Sequence, residues 1–458
     1  MIDVRNKHIT VVGAARSGLA AARMLAGRGA TVYVSDASPI QPGVKSALDR
    51  DGIPWEERGH TERAKQADMA VVSPGVPDDT PIMAHYGKTG IPVYSELEAA
   101  SWFNRSPVVA VTGSNGKTTV ARWMEHTWKT AGRACLTGGN IGRPFSDIID
   151  ETGAGRTTIL EVSSFQLDHI LGFRPDVSVI LNITPDHLDR YEYSFERYIE
   201  SKLRIAANQR TEDILILNSD DPVLSEKADL LKKRKAHPRI LSYSINSEVE
   251  RGAFIRDQKI IFKINDTNDT EELFMHSGDV GLPGKHNLSN SLATALAARV
   301  SEIKSESIRE SLKTFGGVEH RLELVSELNG VRYINDSKAT NINAVWFALD
   351  SYRMPVVLIM GGRDKGNDYL ALKEQITEKV HTIIALGEAR PGIKKQLGNV
   401  VPDFFEAETM EEAVQLAGKK AKRGEIVLLS PACSSFDMFE NYEQRGDAFK
   451  NAVRELAT

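Results

Sequence analysis

The chain has 458 residues, 41% of them hydrophobic and 26% charged, which is the balance of a globular protein rather than a disordered or fibrous one, and its length suits about three domains. A net charge of −5 excludes a general surface for nucleic acid or anionic membrane, and two cysteines, Cys135 and Cys433, exclude a disulfide framework. Neither Met1–Lys7 nor any later run has the apolar length of a signal core or a membrane span, so a cytoplasmic protein without membrane or nucleic-acid partners is expected.

From the amino terminus, His8–Val12 is a short apolar strand, followed by Gly13-Ala14-Ala15-Arg16-Ser17-Gly18 and a helix reaching about Arg28. A second strand, Thr31–Val34, runs on to Asp36, and a third, Met69–Ser73, stops at Pro74-Gly75-Val76-Pro77. A strand, a glycine loop, a helix and an acidic residue about 20 positions on approximate the dinucleotide fingerprint, in which the helix amino terminus receives a diphosphate. The second glycine of that pattern is missing, and Ala15 sets a methyl group where a phosphate would approach. A uridine diphosphate sugar uses the same helix end equally well, so these residues leave both ligands open. Val93-Tyr94 and a helix from Ser95 to about Phe103 lead out of this unit, whose alternating strands and helices predict a parallel, doubly wound sheet.

The next stretch carries the strongest signal. Val108–Val111 reads as a buried strand, Thr112-Gly113-Ser114-Asn115-Gly116 as a loop, and Lys117-Thr118-Thr119 opens a helical run, Val120–Ala131. Such a loop aims several backbone N–H groups into one small space, and the helix dipole makes that space attractive to phosphate. Lys117 would reach the outer phosphates of a nucleotide, and the Thr118 hydroxyl would sit on magnesium. The usual first glycine of the phosphate-loop pattern is absent, with Val111 in its place. An ordinary glycine-rich turn would not require Gly-Lys-Thr-Thr to fall between a strand and a helix.

Thr158–Val162 is a strand with Glu161 near its end, running into Ser163-Ser164-Phe165-Gln166. Val177–Ile183 is another, followed by Thr184-Pro185-Asp186-His187-Leu188-Asp189-Arg190; a helix from about Phe195 to Ala207 carries Lys202, and Ile214–Asn218 is a further strand. Glu161 and His187 fall at carboxyl strand ends, which in such a sheet face the same crevice as the phosphate loop. Taken singly, Glu161 fits a structural carboxylate as well as a ligand, and His187 fits a satisfied loop histidine; Asp186 and Asp189 beside it favour a cation. Between about Leu241 and Phe274 short β-rich runs predict antiparallel hairpins on one edge. Gly284-Lys285-His286-Asn287 precedes an alanine-rich helix to about Val300, and Gly316-Gly317 breaks the chain as a hinge.

In the third unit, Val356–Met360 ends at Gly361-Gly362-Arg363-Asp364-Lys365-Gly366, Ile383–Leu386 at Gly387-Glu388, and Ile426–Leu429 at Ser430–Asp437. Three apolar strands stopping at small-residue loops describe one working rim of an open α/β sheet. Neither a serine nucleophile elbow nor zinc-type cysteine spacing is present.

Taken together, Thr112–Thr119, Glu161-Val162-Ser163-Ser164-Phe165-Gln166-Leu167, Asn182–Arg190 and Lys202 resemble the Mur ligase family. Within it, Asn335-Asp336-Ser337-Lys338-Ala339-Thr340-Asn341 and Leu429–Asp437 resemble the branch that adds D-glutamate. The resemblance implies an α/β protein of three domains: a Rossmann-like UDP-sugar-binding domain (1–95), a central P-loop ATPase domain with a mostly parallel sheet (96–317), and a Rossmann-like, doubly wound domain for the amino acid (318–458). It implies a ligase of peptidoglycan precursor synthesis that uses ATP to join D-glutamate to UDP-N-acetylmuramoyl-L-alanine through an acyl phosphate; a monomer is the separate expectation. Lys117, His187 and Lys202 would be catalytic. ATP would be held by Gly113, Ser114, Asn115, Gly116, Lys117, Thr118, Thr119, Asn290, Arg321 and Asp336.

Two Mg2+ ions would be bound through Thr118, Glu161, His187 and Lys202, the last carried as an N6-carboxylate (a carbamate). The UDP-substrate would meet Gly13, Arg16, Ser17, Gly18, Asp36, Ser73, Pro74, Gly75, Asn140, Ser163 and His187. D-Glutamate would meet Lys338, Thr340, Lys365, Ser435, Phe436 and Tyr442. Ala15 and Ala37 depart from the family pattern in the first domain and leave the uracil and diphosphate contacts open, as Arg363 leaves the role of Asp364. Two rivals are a folylpolyglutamate synthetase, which would not need both third-domain motifs, and a nucleotide-controlled switch, which would not couple phosphate release to two further substrates.

Overall fold

The computed structural model describes residues 2–232, 237–264, 271–364 and 366–456. Among these residues the chain builds three sheets, one for each domain. The first consists of β1 (His8–Val12), β2 (Thr31–Ser35), β3 (Trp55–Glu56), β4 (Met69–Val72) and β5 (Val93–Ser95) in the order β3-β2-β1-β4-β5, all parallel. Strand order reverses between β1 and β4, so the loops after these two strands flank a crevice at the carboxyl rim. The helix α1 (Arg16–Gly27) follows β1 and lays Ala21, Ala22 and Leu25 against the sheet.

A short helix, α2 (Glu96–Ser101), joins this sheet to the second and is held at both acidic positions. The Glu98 carboxylate accepts the N–H groups of Leu171 at 3.0 Å, Gly172 at 3.0 Å and Phe173 at 2.7 Å, and the indole N–H of Trp102 at 2.9 Å. Glu96 accepts both the N–H and the hydroxyl of Ser146, at 2.6 and 2.7 Å, and its burial raises its pKa. One apolar cluster runs from Val11 and Leu25 through Leu97 and Trp102 to Leu160 and Ile180. The first two sheets therefore share a core and form one compact unit, residues 1–281 with 289–315.

The second sheet has the order β14-β13-β12-β11-β10-β9-β6-β8-β7. Its strands are β6 (Val108–Thr112), β7 (Ala134–Gly139), β8 (Arg156–Glu161), β9 (Val177–Ile180), β10 (Ile214–Asn218), β11 (Arg239–Ser244), β12 (Gly252–Arg256), β13 (Lys259–Lys263) and β14 (Glu272–His276). β6 and β9 are buried at every position, as a parallel sheet covered on both faces requires. The helices that matter below are α3 (Lys117–Thr130), α4 (Phe195–Leu203) and α5 (Lys285–Val300).

The other compact unit comprises residues 282–288 and 316–458. Its sheet joins β15 (Glu323–Leu328), β16 (Val331–Asn335), β17 (Val356–Gly361), β18 (Val380–Leu386), β19 (Asp403–Ala407) and β20 (Ile426–Leu429) in the order β15-β16-β20-β17-β18-β19. All pairs are parallel except β15 with β16. Apolar clusters cover both faces, one around Leu358 and Leu428, the other around Ile359 and Leu429. The helix α6 (Tyr442–Glu455) buries Phe449 and Val453 on the second of these.

Four expectations need correction. The helix after the phosphate loop begins at Lys117, not Val120, because Gly116 takes a left-handed conformation (φ 88°) and caps it. The strand expected over 177–183 ends at Ile180, since the residues beyond leave the ladder to brace the phosphate loop. The helix carrying Lys202 is α-helical only to Leu203 and tightens to a 3-10 turn over Arg204–Ala206. In the edge region β11 is parallel to both of its neighbours, and only β12, β13 and β14 run antiparallel.

Candidate active site

The phosphate loop is fixed from outside by the segment after β9. Asn182 accepts the Asn115 N–H on its side-chain oxygen at 2.8 Å and donates to Asn115 O at 3.0 Å, while its own carbonyl takes the Ser114 N–H at 2.9 Å. The Ser114 hydroxyl donates to Thr184 O at 2.8 Å and accepts the Thr184 N–H at 2.9 Å. These bonds set the loop before any ligand arrives. Gly116 has no room for a side chain: a Cβ there would lie 2.8 Å from Oδ1 of Asn290 on α5. Gly113, Ser114, Asn115, Gly116, Lys117, Thr118, Thr119 and Asn290 thus gather at the amino end of α3.

Two lysines converge on this loop. Lys117 Nζ donates to Gly113 O at 2.8 Å and to Ser114 O at 3.0 Å. Lys202 Nζ, reaching in from α4, donates to the same Gly113 O at 2.9 Å and lies 4.6 Å from the centre of the Tyr198 ring. Lys202 is 2% exposed; burial, reinforced by the Lys117 charge, pulls its pKa well below the usual lysine range. The Thr118 hydroxyl donates to Glu161 at 2.7 Å, so an alcohol and a carboxylate oxygen share one buried spot. The other Glu161 oxygen accepts from Asn140 Nδ2 at 3.2 Å. Such oxygen donors suit magnesium, and the residues fit the ion.

Ser163 caps the short helix Ser164–Asp168 in a reciprocal box with Gln166. His187 has left-handed backbone (φ 52°) and a side chain 49% exposed, with its ring edge-on to Phe165 at 5.2 Å. At the rim of the first sheet, Ser73 donates to Gly13 O at 2.9 Å, bringing the two loops of the crevice together. A Cβ on Gly18 would overlap Gly13 O, which explains the glycine. Asp36 accepts the N–H groups of Ala14 at 2.7 Å and Ser38 at 2.8 Å, so its carboxylate orders this rim whatever else it contacts. The amino terminus of α1, with Arg16, Ser17 and Gly18 in its first turn, has no side-chain cap.

The third domain has its own rim, where β16, β20 and β17 end side by side. Buried Asp336 accepts from the Ser430 hydroxyl at 2.9 Å and the Leu322 N–H at 3.3 Å. Lys338 Nζ lies 5.2 Å from the centre of the Tyr442 ring. The two loops are pinned by buried Arg445, which donates to the Ser337 hydroxyl at 3.0 Å, Ser337 O at 2.7 Å and Cys433 O at 3.0 Å. The Ala432 N–H to Ala339 O bond, 2.9 Å, brings Thr340 next to the loop of Ser435 and Phe436. Ser435 is buried and Phe436 is 61% exposed. Arg321 is half-buried and near enough to Asp336 to lower its pKa. Lys365 lies outside the described residues.

Desolvation nevertheless pushes the Asp336 carboxyl up to about 7. That value is above the unfolded one of about 4, so the folded chain keeps the proton longer. The stability due to this group is complete below about pH 4 and lost as pH rises through 7. Asp336→Asn should therefore gain thermal stability relative to the parent as pH is raised from about 5 to 8. A pH-independent difference between the two melting curves would show that the buried carboxyl is ionised throughout.

Family models match in three consecutive pieces: the MurD N-terminal domain over residues 8–82, the Mur ligase middle domain over 111–298, and the Mur ligase glutamate ligase domain over 320–433. A UDP-N-acetylmuramoylalanine--D-glutamate ligase of Salinibacter ruber is 48% identical, over 99% of both chains. The chain belongs to the Mur ligase family. A protein of the same name from Christiangramia forsetii is 44% identical to this Mur ligase, over 98% of its length and 100% of the relative. Among solved structures the fold matches MurC of Thermotoga maritima, with a TM-score of 0.60 at 17% identity, covering 98% of this chain and 100% of that one. It also matches a pseudomurein peptide ligase of Methanothermus fervidus, with a TM-score of 0.58 at 20% identity and the same coverage.

In the sequence Asn182 and Arg190 stand within a motif that gives neither a task, and Tyr198 and Arg445 do not stand out at all. For Asn182 a signal existed: a polar amide following the apolar run Val177–Leu181 at a strand end. Arg445 gave none, because an arginine in an amphipathic helix reads as solvated surface. Asp364, whose role the sequence leaves open, is a turn-former in this Mur ligase. It accepts the N–H groups of Gly366 and Asn367, both at 3.1 Å, and the Tyr369 hydroxyl at 3.2 Å.

Proposed function

We infer that this Mur ligase joins D-glutamate to UDP-N-acetylmuramoyl-L-alanine at the expense of ATP, as the names of its full-length relatives indicate for them. The observation that carries this reading is the convergence of Lys117, the Thr118–Glu161 pair and buried Lys202 on one phosphate loop. The third domain carries a rim of its own, bearing Lys338, Thr340, Ser435, Phe436 and Tyr442. In the reaction an oxygen of the terminal alanine carboxylate attacks the γ phosphorus and ADP leaves. The amine of D-glutamate then attacks the acyl carbon, loses a proton, and inorganic phosphate departs with the C–O electron pair. Charge neutralisation and in-line placement are what such transfers demand of a protein.

We assign residues 1–95 to the UDP-sugar, 96–317 to ATP and 318–458 to the amino acid. Lys117 would exchange its loop carbonyls for the outer phosphates, with the α3 amino terminus beneath them. Thr118 and Glu161 would hold one magnesium ion, and His187 and a carboxylated Lys202 a second. The ions would supply neutralisation of the phosphate charge. Asn140 and Ser163 would face the acyl substrate, and Gly13, Arg16, Ser17, Gly18, Asp36, Ser73, Pro74 and Gly75 its nucleotide end. Asn290, Arg321 and Asp336 would meet ATP. We place the enzyme in the cytoplasm as a monomer, where its substrates are soluble; among the described residues no helix is long and apolar enough to cross a membrane.

Phosphate release with ATP, magnesium and UDP-N-acetylmuramoyl-L-alanine tests the reading. It should depend on D-glutamate and not be supported by L-glutamate, D-aspartate or L-lysine; release without either partner substrate would favour a nucleotide-controlled switch. Ser435→Ala should raise the D-glutamate KM roughly tenfold, the cost of one hydrogen bond to a charged group, and leave the ATP KM nearly unchanged. Equal changes in both would remove the 430–437 loop from amino-acid recognition.

A further inference from the structure

Arg190 ties the nucleotide-sugar rim to the turn that carries His187. Its guanidinium donates to three successive backbone carbonyls of the loop after β4: Val76 O at 2.8 Å, Gly75 O at 3.3 Å and Pro74 O at 3.4 Å. The same planar group lies over Phe165, 4.5 Å from the ring centre. That ring makes a T-shaped contact with His187 at 5.2 Å, and it stacks on Tyr191 at 6.1 Å. The Arg190 N–H also donates to His187 O at 3.0 Å. One side chain is thus bonded to the loop proposed to meet the diphosphate and packed on the ring that supports the imidazole.

The turn needs such support. His187, Glu192 and Tyr193 all have left-handed backbone, with φ of 52°, 52° and 58°, three non-glycine residues within seven positions. Residues in that region persist only where their surroundings over-determine them, and they concentrate at functional sites. On the other side, the carbonyls that Arg190 takes decide where the N–H groups of the 73–76 loop point, because a trans peptide aims its C=O and N–H in opposite directions. Holding Pro74 O turns the Gly75 N–H away from Arg190. Holding Gly75 O turns the Val76 N–H away in the same manner, into its 3.0 Å bond with Ser73 O.

We propose that Arg190 is a positioning residue that registers the Ser73–Val76 loop against the His187 turn, so that seating the nucleotide end of the acyl substrate also sets the imidazole beside its carboxylate. The proposal rests on the reading that these two loops hold that substrate. A plain staple between two loops would make the same bonds, but it would affect stability and all substrates alike. A lysine cannot replace the group, because an ammonium is a point charge without the planar fork that spans the three carbonyls while lying flat on Phe165.

The test uses the full chain as Arg190→Ala, Arg190→Lys and Phe165→Leu variants, with KM and kcat measured for each of the three substrates. Calorimetric binding of UDP-N-acetylmuramoyl-L-alanine without ATP accompanies the kinetics. Arg190→Ala should bind that compound about tenfold more weakly and lose about 10- to 100-fold in kcat, a misplacement effect, with the KM values for ATP and D-glutamate within about twofold of the parent. Arg190→Lys should behave like the alanine variant, and millimolar guanidinium ion should restore part of the alanine variant's kcat. Phe165→Leu should lower kcat with little change in substrate binding. Equal shifts of all three KM values, a lowered melting temperature with unchanged kcat, or full rescue by lysine would overturn the proposal. A parent chain that binds the acyl substrate yet releases no phosphate would instead overturn the ligase reading, and the binding difference between parent and Arg190→Ala would still decide the registering role.

Discussion

Lys117→Ala should lower ligation by about 10²–10³-fold or more while the chain remains folded, an effect comparable to deleting a preorganised donor to developing charge. The lysine is half-buried and held by carbonyls of its own loop, Gly113 O at 2.8 Å and Ser114 O at 3.0 Å. Those are the contacts of a cation parked beside its site. The loop does not depend on them, because Asn182 and Thr184 fix Asn115 and Ser114 through five separate bonds of 2.8 to 3.0 Å. Removing the ammonium should therefore leave the melting temperature nearly unchanged and act on kcat more than on the KM of the acyl substrate, which is assigned to other residues. Phosphate release measured beside thermal unfolding separates the two effects. Near-normal turnover in the folded variant would take the phosphate loop out of the chemistry.

The parts of this site that are local in sequence were legible there. A strand, Gly-x-x-Gly-Lys-Thr and a helix specify a phosphate loop because the glycines, the dipole and the lysine act within eight residues of one another. Apolar runs such as Val356–Met360 and Ile426–Leu429 announced buried parallel strands, and both are buried throughout. What escaped reading is what the fold assembles from afar. β15, with the pattern Glu-Leu-Val-Ser-Glu-Leu, is only partly buried and presents no alternation to find. β3 is two residues long and exists because β2 offers it an edge. Glu98 looks like any acid in a helical first turn, yet its carboxylate collects three backbone N–H groups from residues more than 70 positions away.

The same limit applies to domain organisation. The family resemblance divides the first and second domains near residue 95, and nothing in the sequence shows that α2 and a shared apolar cluster hold their two sheets in one compact unit. The glycine pair at 316–317 does coincide with the start of the other unit. Such a break needs only a permissive backbone, which sequence displays directly. The shared core also explains why Arg190 can act as a registering group: both of the loops it touches belong to the same compact unit.

Lys202→Ala should be inactive to a similar degree and partly restored by short carboxylic acids, whereas the parent should carry a carbon dioxide unit on Nζ. A carbamate forms when a neutral amine attacks CO2 and releases a proton, so the first requirement is an uncharged lysine. The structure meets it in two ways: Lys202 is almost wholly buried, and its nitrogen shares the Gly113 carbonyl with the Lys117 ammonium, a like charge that disfavours a second one. The second requirement is a use for the product, and an anionic oxygen ligand beside Glu161 and the phosphate loop provides it by strengthening a magnesium site that an ammonium would repel. Labelling with ¹³CO2 should give a carbamate carbon resonance in the parent and none in Lys202→Ala. Acetate or propionate, which can place a carboxylate in the vacated volume, should raise the variant's rate with saturation. Raising CO2 should not affect that variant. A fully active parent with an unmodified Lys202 would show that the amine itself, neutral and bonded to Gly113, is the functional form.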